Sequence, residues 1–311
     1  MSRPSAHCLP RLLISLFCLL VCLVVCGQSK AADPHAFNGG RAFDDLRHLV
    51  AFGPRPPGSK ALEASRQWII EELHKTGCVV KKDPFVASTP LGNIPMMNLI
   101  AELPGKERDK IVIIAGHYDT KLETNFRFVG ANDGGSSAAF LLELARELRP
   151  TQHKLTYWLV FFDGEEAIKG WSDTDSLYGS RHLAAKLTQE GELSRIHAMI
   201  LVDMIADAHL DIRRDQDSTS WLTDLIFGTA RRLGYPKYFL DDSTAMDDDH
   251  TPFVNLGVSA VDLIDFDYGP DNSYWHTAKD VPEHCSPSSL TIVGRVVRAT
   301  LDELDHSSHL Q

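Results

Sequence analysis

From Trp158 to Phe162, within "TYWLVFFDGEE", every residue is apolar and no polar position alternates. A strand with that pattern needs cover on both faces, which a sheet flanked by helices on either side supplies. "MMNLIAEL", "KIVIIAG", "HAMILVDMI" and "VSAVDLIDF" have the same character, and helix-like stretches such as "GSSAAFLLELAREL" and "SSLTIVGRVVRATLDEL" lie between or after them. In "FGPRPPGSKALEASRQWIIEELHKTG" a Pro/Gly loop precedes Leu62, Trp68, Ile69 and Leu73 at helical spacing, and Gly77 marks the stop. The expected fold class is α/β: a three-layer α/β/α sandwich with a central twisted, mostly parallel mixed sheet.

Metal-binding and acid/base residue types follow these apolar runs. His117 and Asp119 come after "IVIIAG", Glu165 and Glu166 after "WLVFFDG", Asp203 after "AMILV", and His276 in the loop beyond "AVDLIDF". In open α/β sheets ligands bind outside the carboxyl ends of the strands, so residues from separate segments can converge there. Asp133, in "GANDGGSSAAF", stands where a glycine-rich turn feeds a helix.

The N-terminus has a different character. Arg3 and Arg11 precede the apolar run Leu12 to Cys26, and "SKAADP" offers Ser29 and Ala31 before a cleavage point, the layout of a secretory signal over residues 1–31. A lipoprotein reading at Cys26 meets the bulky Val25. Export to a periplasmic, extracellular or secretory compartment is expected, with anchoring at the N-terminus as the only route to a membrane, and residues 32–311 are expected to form one catalytic domain. That segment contains Arg3, Arg11 and Lys30 and no acid, so its loss makes the formal charge of −11 three units more negative. Such an acidic chain argues against nucleic acid as a partner. Of the cysteines, Cys8, Cys18, Cys22 and Cys26 fall in this segment; Cys78 and Cys285 remain, without metal-ligand spacing and free to pair or not.

Each candidate also has a plain structural meaning. Glu165 and Glu166 can be solvated acids opening a helix, Trp171 and Trp275 core packing, Asp247 to Asp249 a solvated run, and Asp175 or Ser176 a helix cap. The chemical reading draws on the combination: on a tight turn adjacent glutamates point differently, so one can hold a metal while the other moves protons. Oxygen and imidazole donors such as Asp133, Glu166 and His276 suit zinc, which in catalytic sites takes three protein groups and leaves one position for water or substrate.

"AGHYDTK", "FVGANDGGSSAAFLLELAREL", "FFDGEEA", "LVDMI" and "WHTAKD" resemble the ordered motifs of the zinc aminopeptidase superfamily over nearly all of residues 32–311. Within it, "EEAIKGW", "DSLYGSRHLA", "DDDHTPF" and "YWHT" resemble the glutaminyl-peptide cyclotransferases, which convert N-terminal glutamine of peptides or proteins to pyroglutamate. The resemblance implies one zinc per chain on Asp133, Glu166 and His276, Glu165 as general acid/base, and Asp203 and Asp248 in a hydrogen-bonded acid network with it. It implies Trp171 and Trp275 as aromatic walls around the glutamine side chain.

The pattern is not complete. Gly116 stands where animal cyclases commonly carry a disulfide cysteine, and Asp271 where an aromatic residue is expected, with Tyr268 or Tyr274 as substitutes. His117 and Asp203 occupy positions that bind a second metal in the related peptidases, so an exported di-zinc aminopeptidase is the alternative enzyme. A non-catalytic zinc-stabilised binding domain is the alternative outside enzymology.

Overall fold

The computed structural model describes residues 1–2, 35–149 and 151–306. Strands β1 (Val79–Thr89) and β2 (Gly92–Leu103) form a hairpin, and β3 (Glu107–His117), β4 (Leu155–Phe162) and β5 (Ile196–Asp203) follow. Beyond them come β6 (Ile212–Asp215), β7 (Phe239–Thr244) and β8 (Ala260–Ile264). The main sheet has the order β1-β2-β4-β3-β5-β8, with β6 and β7 paired separately. Strands β4, β3, β5 and β8 run parallel, whereas β2 is antiparallel to both β4 and β1, so the sheet is mixed and mostly parallel as expected.

The α-helices of the described residues are α1 (Gly39–Ala51), α2 (Lys60–Thr76), α3 (Gly135–Leu148), α4 (Tyr178–Gln189), α5 (Ser220–Arg232), α6 (Thr251–Val254) and α7 (Pro287–His306). Side-chain alternation along the central strands divides the interior in two. Val112, Ile114, Leu159, Phe161, Ile200 and Val202 join Leu46 of α1, Leu141 of α3 and Val297 of α7. Ile113, Trp158, Val160 and Met199 face the opposite way, against Leu183 and Leu187 of α4 and Phe253 of α6. This is why "TYWLVFF" shows no alternation: all eight residues of β4 are buried. Each such large apolar side chain contributes about 1.5–3 kcal/mol by leaving water.

The expected stop of α2 at Gly77 is where the helix ends. Ser59 accepts a hydrogen bond from Leu62 N at the start of α2, and Gly77 ends it at φ 79°. The edge strand β1 was not legible, because Lys81, Lys82 and Pro84 interrupt its apolar residues, as suits a sheet edge. At Gly116 a Cβ would lie 2.6 Å from the Ser137 side chain and 2.8 Å from Val202 O, so no cysteine fits where α3 crosses β3. Cys78 and Cys285 are both buried and free.

The described residues from His35 onward form one compact unit, and no described helix is long and apolar enough to cross a membrane. Apart from Met1 and Ser2, the expected export segment with its four cysteines lies outside the described residues.

Candidate active site

Four strand ends deliver the site. His117 is the last residue of β3, Asp203 the last of β5, Glu165 and Glu166 lie three and four residues beyond β4, and His276 sits in the loop after β8. Asp133 lies just ahead of α3. All six expected residues converge. His276 Nε2 is 3.1 Å from Glu166 Oε1 and 3.2 Å from Asp133 Oδ2; His117 Nε2 is 3.1 Å from Asp203 Oδ1 and 3.3 Å from Asp133 Oδ1. Two donor groups result, Asp133–Glu166–His276 and His117–Asp133–Asp203, joined by Asp133, which offers one oxygen to each.

Glu165 and Glu166 do not open a helix, since residues 163–177 are irregular and α4 begins only at Tyr178. Both are buried. Their backbone N–H groups donate to Oδ1 and Oδ2 of Asp119, at 3.2 and 3.4 Å, which turns the two side chains apart. Glu166 meets His276, while Glu165 Oε2 lies 3.8 Å from His117 Nδ1. Asp280 positions Asp133 in a similar way, accepting from Asn132 N (2.7 Å), Asp133 N (3.2 Å) and Tyr268 Oη (3.1 Å).

The fit to a divalent cation can be tested on polar satisfaction. Asp133 Oδ2 and Glu166 Oε2 are buried without a hydrogen bond, although Asp133 Oδ2 is only 3.2 Å from the His276 ring nitrogen. His276 Nε2 does meet Glu166 Oε1 in a hydrogen bond, and a shared cation would satisfy the carboxylate oxygens that this bond leaves over. The two-carboxylate, one-imidazole set matches zinc, and the residues fit it.

The local field points the same way. Burial would lower the pKa of His276, but Asp133 and Glu166 outweigh it and raise the value to about 9. Burial raises the Asp133 carboxyl, yet the two histidines outweigh it and hold that group well below its ordinary value. Glu165 moves well upward: burial is the main cause, with Glu166, Asp248 and Asp249 adding repulsion against the pull of His117. The cleft therefore favours positive charge, and ligation of a metal there would release protons from its ligands.

A cavity of about 370 Å³ opens onto these groups, with Trp171, Trp275, Phe266 and Met246 among its walls. Trp275 stacks on His276 at 4.1 Å and meets Phe266 edge-on at 4.8 Å. Phe266 supplies the aromatic wall that Asp271 does not. Neither tyrosine takes that place: the fully buried Tyr268 serves Asp280, and Tyr274 stacks on His284 at 4.0 Å. The run Asp247 to Asp249 is not simply solvated, since Asp248 and Asp249 are buried.

Asp248 lines the cavity, and burial together with Asp203 raises its carboxyl to about 7. Asp203 Oδ1 is occupied by His117 Nε2, Ser137 Oγ and Met204 N, and Asp248 Oδ1 by Asp249 N. Among the described residues no direct hydrogen bond links Glu165, Asp203 and Asp248; Glu165 and Asp203 each couple to Asp248 through charge.

Asp175 is not the helix cap it resembles; Leu177 takes that position without a side-chain bond. Asp175 instead accepts from Ile168 N (2.9 Å), Lys169 N (2.9 Å), Gly170 N (3.0 Å) and Tyr178 Oη (2.7 Å), which fixes the loop bearing Trp171. The roles of Asp119, Asp175, Asp280 and Phe266 escape a reading of spacing, because their partners are set by how loops meet at the sheet's end.

Peptidase family M28 matches residues 98–301 of the chain. The glutaminyl-peptide cyclotransferase of Drosophila melanogaster is 31% identical, with 86% of this chain and 84% of that protein covered. Among solved structures, an Acidobacteriales bacterium glutaminyl cyclase is 40% identical with a TM-score of 0.85, over 90% of this chain and 99% of its own. The Porphyromonas gingivalis glutaminyl cyclase is 30% identical with a TM-score of 0.80, over 88% and 100%.

Proposed function

The chain belongs to peptidase family M28 and, within it, to the glutaminyl-peptide cyclotransferases, and from that premise we propose that it closes the N-terminal glutamine of exported peptides or proteins into pyroglutamate around one zinc. Asp133, Glu166 and His276 would hold the metal. Once bound, zinc supplies a Lewis acid toward the glutamine γ-carboxamide oxygen.

In ring closure the substrate's α-amino nitrogen forms a bond to the γ-carbonyl carbon, and the bond from that carbon to the amide nitrogen breaks, releasing ammonia. Glu165 accepts the proton that the attacking amine loses and returns it to the departing nitrogen. Asp248 supports Glu165 by the field it places around it, and Asp203 acts in turn on Asp248. Trp171, Trp275 and Phe266 enclose the glutamine side chain and fold it toward ring closure, where alignment replaces an entropic penalty of several kcal/mol. Since nucleophile and electrophile belong to one substrate, no water is required as a reactant.

The observation that carries this reading is the divergence of Glu165 from Glu166: Glu166 meets His276 of the Asp133–Glu166–His276 group, while Glu165 turns toward His117 in the same aromatic-walled cavity. The di-zinc aminopeptidase reading draws on the His117–Asp133–Asp203 group, but the relatives do not favour it. The test incubates purified protein with a glutaminyl and a leucyl fluorogenic amide and counts zinc by elemental analysis. Ring closure of the glutaminyl amide with one zinc per chain is expected. Leucine release with two zincs would overturn the proposal, as would inertness toward both.

A further inference from the structure

The rim of the cavity carries a charge that the cyclisation mechanism does not use. Asp247 lines the cavity and is exposed, whereas the other carboxylates lining it, Asp133, Glu165, Glu166, Asp203 and Asp248, are buried. Its Oδ2 accepts the indole N–H of Trp171 at 2.9 Å, and among the described residues its other oxygen has no partner. Trp171 is 44% exposed, so this pair stands at the outer edge of the cavity wall. The cation on the same cavity, Lys121, lies at the inner side, 3.6 Å from Glu166 Oε2, and does not neutralise Asp247.

Trp171 and Asp247 are the half-exposed indole and the exposed carboxylate of the cavity lining, so a second residue that leaves the cavity on this side passes them. There it meets an indole face beside a carboxylate oriented by the indole's own N–H. That combination recognises a long cationic side chain: the stem lies on the ring, the charged head reaches the free oxygen, and the ring attracts the cation as well. Resting on the cyclase reading, we propose that Trp171 and Asp247 form a subsite for lysine or arginine at the second position of the substrate. The hydrogen bond ties this preference to the wall itself, because the group that reads the charge also orients Trp171.

Asp247→Asn separates these two jobs, since an asparagine oxygen can still accept from the indole while the charge is gone. The experiment measures kcat/KM of the zinc-loaded enzyme for Gln-Lys and Gln-Glu peptide amides of otherwise identical sequence. Equilibrium binding of the same two peptides to the zinc-loaded Glu165→Gln enzyme runs in parallel, with and without Asp247→Asn.

The expected result is a preference for the lysyl peptide in both readouts that falls roughly 2- to 5-fold in Asp247→Asn, the size of one partly exposed charge pair, and that weakens with added salt. A lysyl-to-glutamyl ratio unchanged by Asp247→Asn overturns the subsite. Failure of cyclisation itself counts against the proposed function, while the binding arm still decides the subsite.

Discussion

The loop that follows the paired glutamates is closed at its base by Leu177 N donating to Glu165 O and Tyr178 N donating to Gly164 O, both at 2.8 Å. Inside it, the Asp175 carboxylate is the hub. Replacing it by alanine strands four donors, but not equally. Ile168 and Tyr178 are each 6% exposed, so their N–H and O–H have no ready access to water and are expected to cost about 1.5–2 kcal/mol apiece. Lys169 and Gly170 are exposed, and water takes over there for about 0.5 kcal/mol each. Asp175→Ala should therefore destabilise the loop by about 4 kcal/mol, raising its open population by roughly a thousandfold.

Trypsin reads that opening directly, because Lys169 lies inside the loop. Cleavage after Lys169 should accelerate by two to three orders of magnitude, in the regime where it follows the open population. KM for a glutaminyl substrate should rise roughly tenfold as Trp171 loses its fixed position, with a smaller effect on kcat. Tyr178→Phe removes one of the same bonds, so its effect of about 1–1.5 kcal/mol should disappear in an Asp175→Ala background. Unchanged cleavage after Lys169, or additive effects of the two substitutions, would refute the hub.

Glu165→Gln should lower turnover by about 10²- to 10⁴-fold while zinc per chain stays the same, whereas Glu166→Ala and His276→Ala should each lose the metal; elemental analysis and a glutaminyl amide assay separate the two classes. Arg55, fully buried, donates to the carbonyls of Leu49, Gly53, Tyr118, Val129 and Gly130 and so pins the turn that leads to Asp133. Arg55→Met leaves those acceptors unmet and should cost about 3 kcal/mol, read as a fall in Tm of roughly 6–10 °C. Asp83 is buried against Lys186 Nζ (2.7 Å) and His182 Nε2 (3.3 Å), which outweigh burial and lower its pKa. A depressed carboxyl stabilises the fold above its unfolded value of about 3.9 and loses that contribution as pH falls through the folded value. The Lys186 end is partly exposed, so Asp83→Asn should cost about 1 kcal/mol near neutral pH in denaturant unfolding. That gap should shrink in acid, and a pH-independent gap would contradict the assignment.

What could be read in advance follows from the range of the interaction concerned. Apolar runs without alternation are local, and they located the four parallel strands and hence the side of the sheet on which His117, Glu165, Glu166 and Asp203 emerge. The edge strand β1 was hidden because lysines and a proline, which protect an edge, are the same residues that mark a loop.

The supporting residues were hidden for another reason. Asp119 reaches Glu165 across 46 positions and Asp280 reaches Asp133 across 147, and nothing in either neighbourhood announces the partner. The aromatic wall shows the same limit. Sequence position nominates Asp271, Tyr268 or Tyr274, but the chain reverses through left-handed Asp271 and Asn272, and Phe266, closer to β8, fills the place against Trp275. A cavity wall needs an apolar ring at a point in space, and more than one register of a loop can supply it. Ligand identity is far less forgiving, because a donor atom displaced by one residue leaves the cation's coordination distance altogether. The metal-binding candidates were therefore nominated by the resemblance of their motifs to a known family, and the structure brings them together, whereas the surfaces that choose and hold the substrate depend on loop geometry that motifs do not encode.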